Sequence, residues 1–479
     1  MLGIKITATD DFEKLNIQPL INKIDNIIKV WSWRRLKLFG KVTIINTLLI
    51  SQLVYRLTVL PRPSDATMKK IDKTLFDYLW ENKPHKISKK VVSNFPHFGG
   101  IKMPNIYIKD DALKCSWVAR ILRNPPYTVC PSLDSYCYIA VKELLQCNLA
   151  SADVSYCWRK KPGRLWIDML KAWCKFNYKP SVQVGFKDQW IWFNSNIKVG
   201  NKPIFYMELY GKDVKYIGDI MNENGAWYTH REIEIKYKTR INFLKYFGLI
   251  SAIPDEYRNA CTTQTIASLS TISNLEAKQS KYFYNKLLPQ YTEFPSPKRV
   301  KWAQELGIDI SDNTFSEHFK GMYKCTVSSK FRDFQYRVLN RAVITNTNLY
   351  KWKVLQNDKC MFCHHEPESL IHLLIRCEVS ELIWKKLLSR IETFTGIHIQ
   401  FTEAEKVLGI LNFQYQNLFN LLFMIVKQYL YACRCLNTRP LLKILIEKIN
   451  EIRTIENNIA IQNNHVSEFN EKWDILLNF

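Results

Sequence analysis

Apolar side chains recur at three- and four-residue spacing along much of the chain, which is the period of a helix with one buried face. Ile17, Ile21, Ile24, Ile28 and Trp31 form such a stripe and predict a helix over 13–31, with Asp10 as its N-cap and Asp11 as first-turn charge. A basic, aromatic-rimmed turn follows and leads into a second helix that Pro61 and Pro63 end. Met68, Ile71, Leu75 and Leu79 line the inner face of a third, over 65–81. Gly99-Gly100 marks a turn, and Asp110 stands where an N-cap would start a helix over 111–123. Residues 2–7 (LGIKIT) read as a short strand with no partner strand nearby, so it should be frayed or paired opportunistically. Over 150–240 the period breaks: Trp, Tyr and Phe crowd between Gly and Pro, which predicts short helices and loops. Helices resume near 230, with connectors at Pro254 and Pro289–Pro297. Leu442, Leu445, Ile449, Ile452 and Ile459 predict a packing helix over 440–460. The expected fold is mainly α and multi-domain, with an irregular aromatic-rich connector and a C-terminal helical domain.

Two stretches are apolar enough to raise a membrane span. Residues 43–60 contain Asn46, Gln52 and Arg56, and 418–426 is about half the length a bilayer needs. Both read as buried helices, so no membrane partner is expected. At 479 residues the chain has room for two to four domains. With 47% apolar and 23% charged residues, global disorder and fibrous structure are excluded. Scarce glycine (15) and 13% aromatics suit helices with aromatic anchors.

Charge changes the picture more than composition does. There are 68 Lys+Arg against 44 Asp+Glu, a net of +24. Residues 1–200 carry 32 basic and 15 acidic side chains, so most of the excess lies in that part and points to a polyanion. Two basic runs stand out. Arg34, Arg35, Lys37 and Lys41 follow Trp31 and Trp33, and Arg159, Lys160, Lys161 and Arg164 follow Trp158. Both could meet phosphates; for the second a solvated loop serves equally, and at least one of the first two tryptophans is expected to be a core anchor. Thirteen cysteines, mostly scattered singly and without a leader sequence, read as reduced thiols inside a cell, in nucleus or cytoplasm.

The densest chemistry is KCMFCHHEPESLIHLLIRC. Cys360, Cys363, His372 and Cys377 form C-x2-C-x8-H-x4-C. A C-x2-C knuckle lets two thiolates converge on one ion, and a later His and Cys close a tetrahedron. Four ligands with no open position mean a structural zinc. The bland alternative is a set of buried thiols near a core histidine. His372 should sit on the inner face of a helix, and Cys377 lies five residues on, roughly 140° around an ideal helix. The helix must therefore end or distort just before Cys377. His364 and His365 are spare candidates, and His364 would strain to share the ion with its neighbour Cys363.

These residues bring a family into view. The chain resembles the C-terminal half of the reverse transcriptase polyprotein of LINE-type non-LTR retrotransposons. LGIKI at 2–6 looks like the primer-grip strand. Trp31 through Pro61, with Leu36 or Leu38, Gly40, Lys41, Ile45, Leu48 and Leu49, looks like the thumb. GGIKMPNI at 99–106, followed by Ala112 and Trp117, is similar to the segment after the thumb. Phe334 through Trp384 looks like the family's zinc-binding domain. The resemblance implies five parts: primer-grip strand and thumb-like helical bundle over 1–62, a helical extension over 63–149, a connector over 150–300, the zinc-binding domain over 301–400 and C-terminal helices over 401–479. It also implies that the first basic run lies along a template–primer duplex and that the zinc module grips template RNA.

The family's polymerase carboxylates are not recognisable here. Asp10-Asp11 and Asp110-Asp111 read as helix starts, not as the paired aspartates that hold two divalent ions. No endonuclease, nucleophile triad or phosphate loop is visible, and no small-molecule substrate is expected. The expectation is a truncated retrotransposon product that is not itself an enzyme, holds a structural zinc and binds RNA or DNA. The alternatives are a protein-interaction scaffold working through the aromatic connector, or a decayed product with no function of its own.

Overall fold

A computed structural model describes residues 3–5, 11–123, 133–177, 185–255 and 279–476. The described residues are mainly helical, with one two-stranded antiparallel pair, Lys198–Val199 against Lys202–Pro203. The chain divides into two compact units. The first holds residues 1–27, 48–74 and 105–291; the second holds 28–47, 75–104 and 292–479. The eleven described cysteines are all free thiols, and ten of them are buried.

In the first unit the helices Ile106–Arg123, Arg164–Asn177 and Gln279–Leu287 pack against one another. The aromatic stretch after residue 150 supplies their core rather than a loose link. Trp173, Trp192 and Phe193 are fully buried there, and the indole N–H groups of Trp173 and Trp192 donate to the carbonyls of Leu145 and Val214. The backbone is irregular, as the broken period implies, but these large rings are buried and the Trp173 and Trp192 indole N–H groups each find a carbonyl.

Two local expectations are corrected in this unit. Asp110 is not an N-cap. The helix begins a turn earlier, at Ile106, where the Asn105 side chain accepts from the N–H groups of Tyr107 and Ile108 at 3.0 and 3.2 Å. Asp110 and Asp111 are instead buried inside the helix. Arg62 Nε donates to Asp110 at 2.6 Å and its other nitrogen pairs with Asp111, while Lys175 reaches Asp111 at 3.2 Å. Burial pushes the Asp110 carboxyl up, against the pull of Lys114 and Arg62. Lys114 ends on the carbonyls of Leu57 and Leu60, which terminate the helix Ile50–Val59. The second correction concerns the N-terminus. Residues 2, 6, 7 and Asp10 lie outside the described residues, but Gly3–Lys5 form no strand. Lys5 exchanges two 2.8 Å hydrogen bonds with the side chain of Asn16, a side-chain stand-in for a missing strand. The predicted first helix is two, Phe12–Asn16 and Gln18–Ser32, and Asp11 precedes it without a side-chain cap bond.

The second unit is built on Gln416–Leu436, which is buried over most of its length and packs against Asp312–Cys325 and Ser329–Leu339. Phe39 meets Tyr323 and Tyr336 edge-on. The Gly99-Gly100 turn is required by space: a Cβ on Gly100 would lie 1.9 Å from the carbonyl oxygen of Asn94. The helix Leu442–Gln462 forms as expected, burying Leu445 and Ile449. Among the described residues one helix, Leu38–Val59, is long and apolar enough to cross a membrane by length and composition, and 44% of its most apolar 18 residues are buried inside the protein.

Candidate metal centre and basic surfaces

The Cys360–Cys377 segment starts as a tight hairpin. Lys359 pairs with Pro367, the Cys360 N–H donates to Glu366 O at 2.8 Å, and the His364 N–H donates back to Cys360 O at 3.0 Å. This turn carries Cys360 and Cys363 to one side, and the Phe362 N–H points at Cys360 Sγ, 3.4 Å away. Ser369 then opens a helical stretch, its hydroxyl accepting from the His372 N–H.

The distortion demanded by the His372–Cys377 spacing is a π-turn over His372–Arg376. The Cys377 N–H donates to His372 O at 2.7 Å, five residues back, so the wider turn brings Cys377 round to the histidine's side. Such a turn frees carbonyls that need other donors. The Ser380 hydroxyl takes Leu373 O at 2.7 Å and the Trp384 indole takes Leu374 O at 2.8 Å.

Cys360, Cys363, His372 and Cys377 converge, with their ligand atoms all within 4.8 Å of one another and all four residues buried. Cys360 and Cys377 sulfurs are 3.8 Å apart, and Cys363 Sγ is 3.4 Å from His372 Nε2. A tetrahedral zinc with sulfur at about 2.3 Å and nitrogen at about 2.0–2.1 Å spaces its ligands by about 3.5–3.8 Å. The donor set therefore fits zinc, with no fifth position for a substrate. His364 and His365 are exposed, and His364 adopts a left-handed φ of 61°, so neither joins the cluster.

The protons are arranged for exchange against a cation. The hydrogen bond to Cys377 pushes the Cys360 thiol up to about 12, and the same bond, with the Val379 and Ser380 N–H groups behind it, draws Cys377 down. The neighbouring Cys360 and Cys363 sulfurs raise His372 to about 9. A zinc ion must displace these protons, so its uptake strengthens as pH rises. His372 Nδ1 lies 3.0 Å from Glu366 Oε2, on the side of the ring away from the sulfurs that Nε2 faces.

Sequence reasoning missed the group that ties the hairpin to the rest of the unit. Glu368 is fully buried. Its carboxylate accepts from the N–H groups of Asn346 and Met361 at 2.8 and 3.0 Å and pairs with Arg434 Nε at 3.1 Å. Arg434 also donates to Asn346 Oδ1 at 2.6 Å, and Asn346 Nδ2 donates to Lys359 O at 2.7 Å. A glutamate in ES-x2-H carries no mark of burial, and its partner is 66 residues away.

The expected phosphate-binding residues separate. Arg34, Arg35 and Lys37 are exposed, as is the preceding Trp33 at 88%, so this tryptophan is not a core anchor. Arg34 lies over the half-buried Trp31 ring at 4.5 Å. Lys41 does not join them: it is buried, with Nζ 2.7 Å from Glu81 Oε1. That ion pair takes up its charge, so the expectation that Lys41 meets phosphate is corrected. Lys330 adds to this surface. Its pKa is lowered by partial burial and by the nearby charges of Lys448 and Lys37, with Glu451 opposing. In the first unit Arg159, Lys160, Lys161 and Arg164 are all exposed; Arg159 donates to Ser135 O at 3.0 Å and Arg164 lies 5.5 Å from the Phe12 ring.

Residues 308–384 match a family described as zinc-binding in reverse transcriptase. The matched stretch contains all four converging ligands and ends at Trp384, whose indole holds the π-turn.

Proposed function

With a reverse-transcriptase-related zinc-binding region over 308–384 as the premise, we propose that the chain corresponds to the part of a LINE-type reverse transcriptase that follows the polymerase palm, and that it binds nucleic acid. The observation that carries this reading is Trp33, an almost fully solvent-facing indole followed in the chain by the exposed Arg34, Arg35 and Lys37. An exposed ring amid cations offers a stacking face and phosphate contacts together. The zinc holds the fold of the module and takes no part in a reaction. No nucleotidyl transfer is expected from this chain alone. Asp110 and Asp111, the described pair of adjacent aspartates nearest in form to a catalytic one, are already neutralised by Arg62 and Lys175.

The reading is tested by fluorescence anisotropy with labelled RNA and DNA, single-stranded and duplex, across a salt series. Affinity should fall steeply with salt. Replacing Arg34, Arg35 and Lys37 together by glutamine should flatten the log–log slope by about two to three units, at about 0.7–0.9 per phosphate contact. Absence of binding at low salt would overturn the proposal. It would favour the scaffold reading, which the helix Phe243–Ala252 supports by leaving Phe243, Leu244 and Phe247 exposed.

A further inference from the structure

In the first unit the helix Phe243–Ala252 buries Tyr246 and Leu249 and turns Phe243, Leu244 and Phe247 outward. The Phe243 and Phe247 rings stack with centroids 6.3 Å apart, and Leu244 is 74% exposed. Val199 of the strand pair lies against Gly248 and is exposed too. Beside this face runs an open groove of about 550 Å³ lined by Arg231, Glu234, Ile235, Lys238, Thr239 and Arg240. Face and groove are continuous. The His230 ring meets Phe243 edge-on at 5.6 Å, and its Nε2 lies 2.7 Å from Ile241 O.

The backbone holds this arrangement firmly. Thr229 and Glu232 close a capping box at the start of the helix His230–Tyr237, and Lys238 ends it with a left-handed φ of 48°. The Asn242 side chain then accepts from the Leu244 N–H at 2.8 Å and starts the next helix. The charges around the groove do not balance. Glu232 accepts from the Thr229 N–H at 2.6 Å, Glu234 accepts from the Ile241 N–H at 3.1 Å, and Glu208 pairs with Lys245 at 2.7 Å. Arg231, Lys238 and Arg240 are exposed, and among the described residues they pair with no carboxylate.

We propose that this face docks an acidic, amphipathic segment of a partner protein. Its apolar side chains would cover Phe243, Leu244 and Phe247, and its Asp or Glu side chains would enter the groove to meet Arg231, Lys238 and Arg240. Apolar side chains gathered in one exposed patch with a polar rim mark an interaction site. Aromatic rings and arginine are the residues enriched where proteins meet, and the guanidinium fork takes a carboxylate with two parallel bonds. The carboxylates of the neighbouring elements are already engaged, so those that answer the three cations must come with the partner. Leu244, Ile235 and Val199 are aliphatic and offer a nucleic acid no stacking face. A lipid surface takes up a protruding apolar tip but does not follow a groove. The inference goes beyond the nucleic-acid reading and stands without it.

The test selects peptides from a random phage-displayed library on the full chain, after depletion on the Leu244→Glu chain. Survivors should carry Asp or Glu among Leu, Ile or Phe. A labelled synthetic survivor, followed by fluorescence anisotropy, should bind Leu244→Glu about 10-fold or more weakly than wild type. Replacing Arg231, Lys238 and Arg240 together by glutamine should weaken it about 3- to 10-fold and flatten its salt dependence. All these positions are exposed, so circular dichroism should match wild type, and Leu244→Ser is the milder variant if Leu244→Glu does not fold. No survivors, or survivors without acidic residues, would overturn the inference. So would peptide binding that the glutamine variant leaves intact. Two further results would also overturn it. One is a wild type that self-associates by light scattering while Leu244→Glu is monomeric, which would make the face a joint between copies. The other is co-sedimentation with phosphatidylserine–phosphatidylcholine vesicles that Leu244→Glu abolishes, which would make it a membrane surface.

Discussion

Chelating the metal, or replacing Cys377 by serine, should strip zinc from the Cys360, Cys363, His372 and Cys377 site of the purified chain and release the segment 357–377 from its fold. The reason is the sparse scaffolding of that segment. Between Lys359 and Pro367 the backbone has a single bridge and a few turn bonds, too little to hold four buried side chains together unaided. Zinc supplies what the backbone does not: structural sites of this donor type bind with about 10–16 kcal/mol near neutral pH, and that free energy becomes folding free energy. The loss should be local. Gln416–Leu436 buries thirteen residues in the second unit's own core and needs no metal to do so. Hydrogen exchange with mass spectrometry is the measurement. Amides of Cys360, His364 and Cys377, bonded in the folded hairpin and π-turn, should exchange freely after chelation, while those of 418–433 stay protected. A metal-free chain with full protection over 357–377 would mean that the four side chains are an ordinary buried cluster.

The metal site was legible because its information is local. C-x2-C places two thiols on one knuckle whatever surrounds it, and the five-residue step to Cys377 forbids an undistorted helix, so a break had to occur there. What could not be read is its form. A π-turn needs outside donors for the carbonyls it frees, and Ser380 and Trp384 become donors only once the following helix folds back. The same contrast runs through the charged residues. Lys41 stands four residues beyond Lys37 in a basic run, but position 41 faces inward on Leu38–Ile44 and its counter-ion, Glu81, is 40 residues away. Asp110 has the residue type of an N-cap, but Asn105 takes that role a turn earlier, and Arg62 decides its real environment from 48 residues away.

The helical class was legible for a different reason. Stripes such as Met68, Ile71, Leu75 and Leu79 repeat one period long enough to outweigh local noise, and all four are buried. The aromatic stretch after residue 150 has no such period, because its rings are collected from many short pieces. Its composition suggested a connector, and only the three-dimensional arrangement reveals Trp173, Trp192 and Phe193 as one core. Trp31 and Trp33 could not be told apart either. Trp31 sits in the last turn of Gln18–Ser32 and is half-buried, whereas Trp33 lies just past the helix end and faces solvent, a difference that residue type alone does not carry.

Glu368→Ala should be the most damaging substitution outside the four ligands. The carboxylate serves three donors at once: two backbone N–H groups, Asn346 and Met361, and the guanidinium of Arg434. Removing it leaves Arg434, whose side chain is 13% exposed, without its carboxylate and both N–H groups without acceptors. Losing one partner of a buried pair costs about 3–5 kcal/mol. Because the Met361 N–H lies inside the C-x2-C knuckle, the loss should also reach the metal, weakening zinc by about 10- to 100-fold, as for other groups that orient ligands. Glu368→Gln keeps the volume and one acceptor oxygen and should fall between wild type and alanine. Competition with a chromophoric zinc chelator reads the affinity, and the cycle with Arg434→Ala separates the ion pair from the backbone bonds. If the carboxylate matters chiefly through Arg434, the double variant should lose little more than Glu368→Ala. If the two backbone bonds dominate, Arg434→Ala alone should nearly spare zinc binding while Glu368→Ala still weakens it. An alanine variant that holds zinc as tightly as wild type would remove Glu368 from any part in shaping the site.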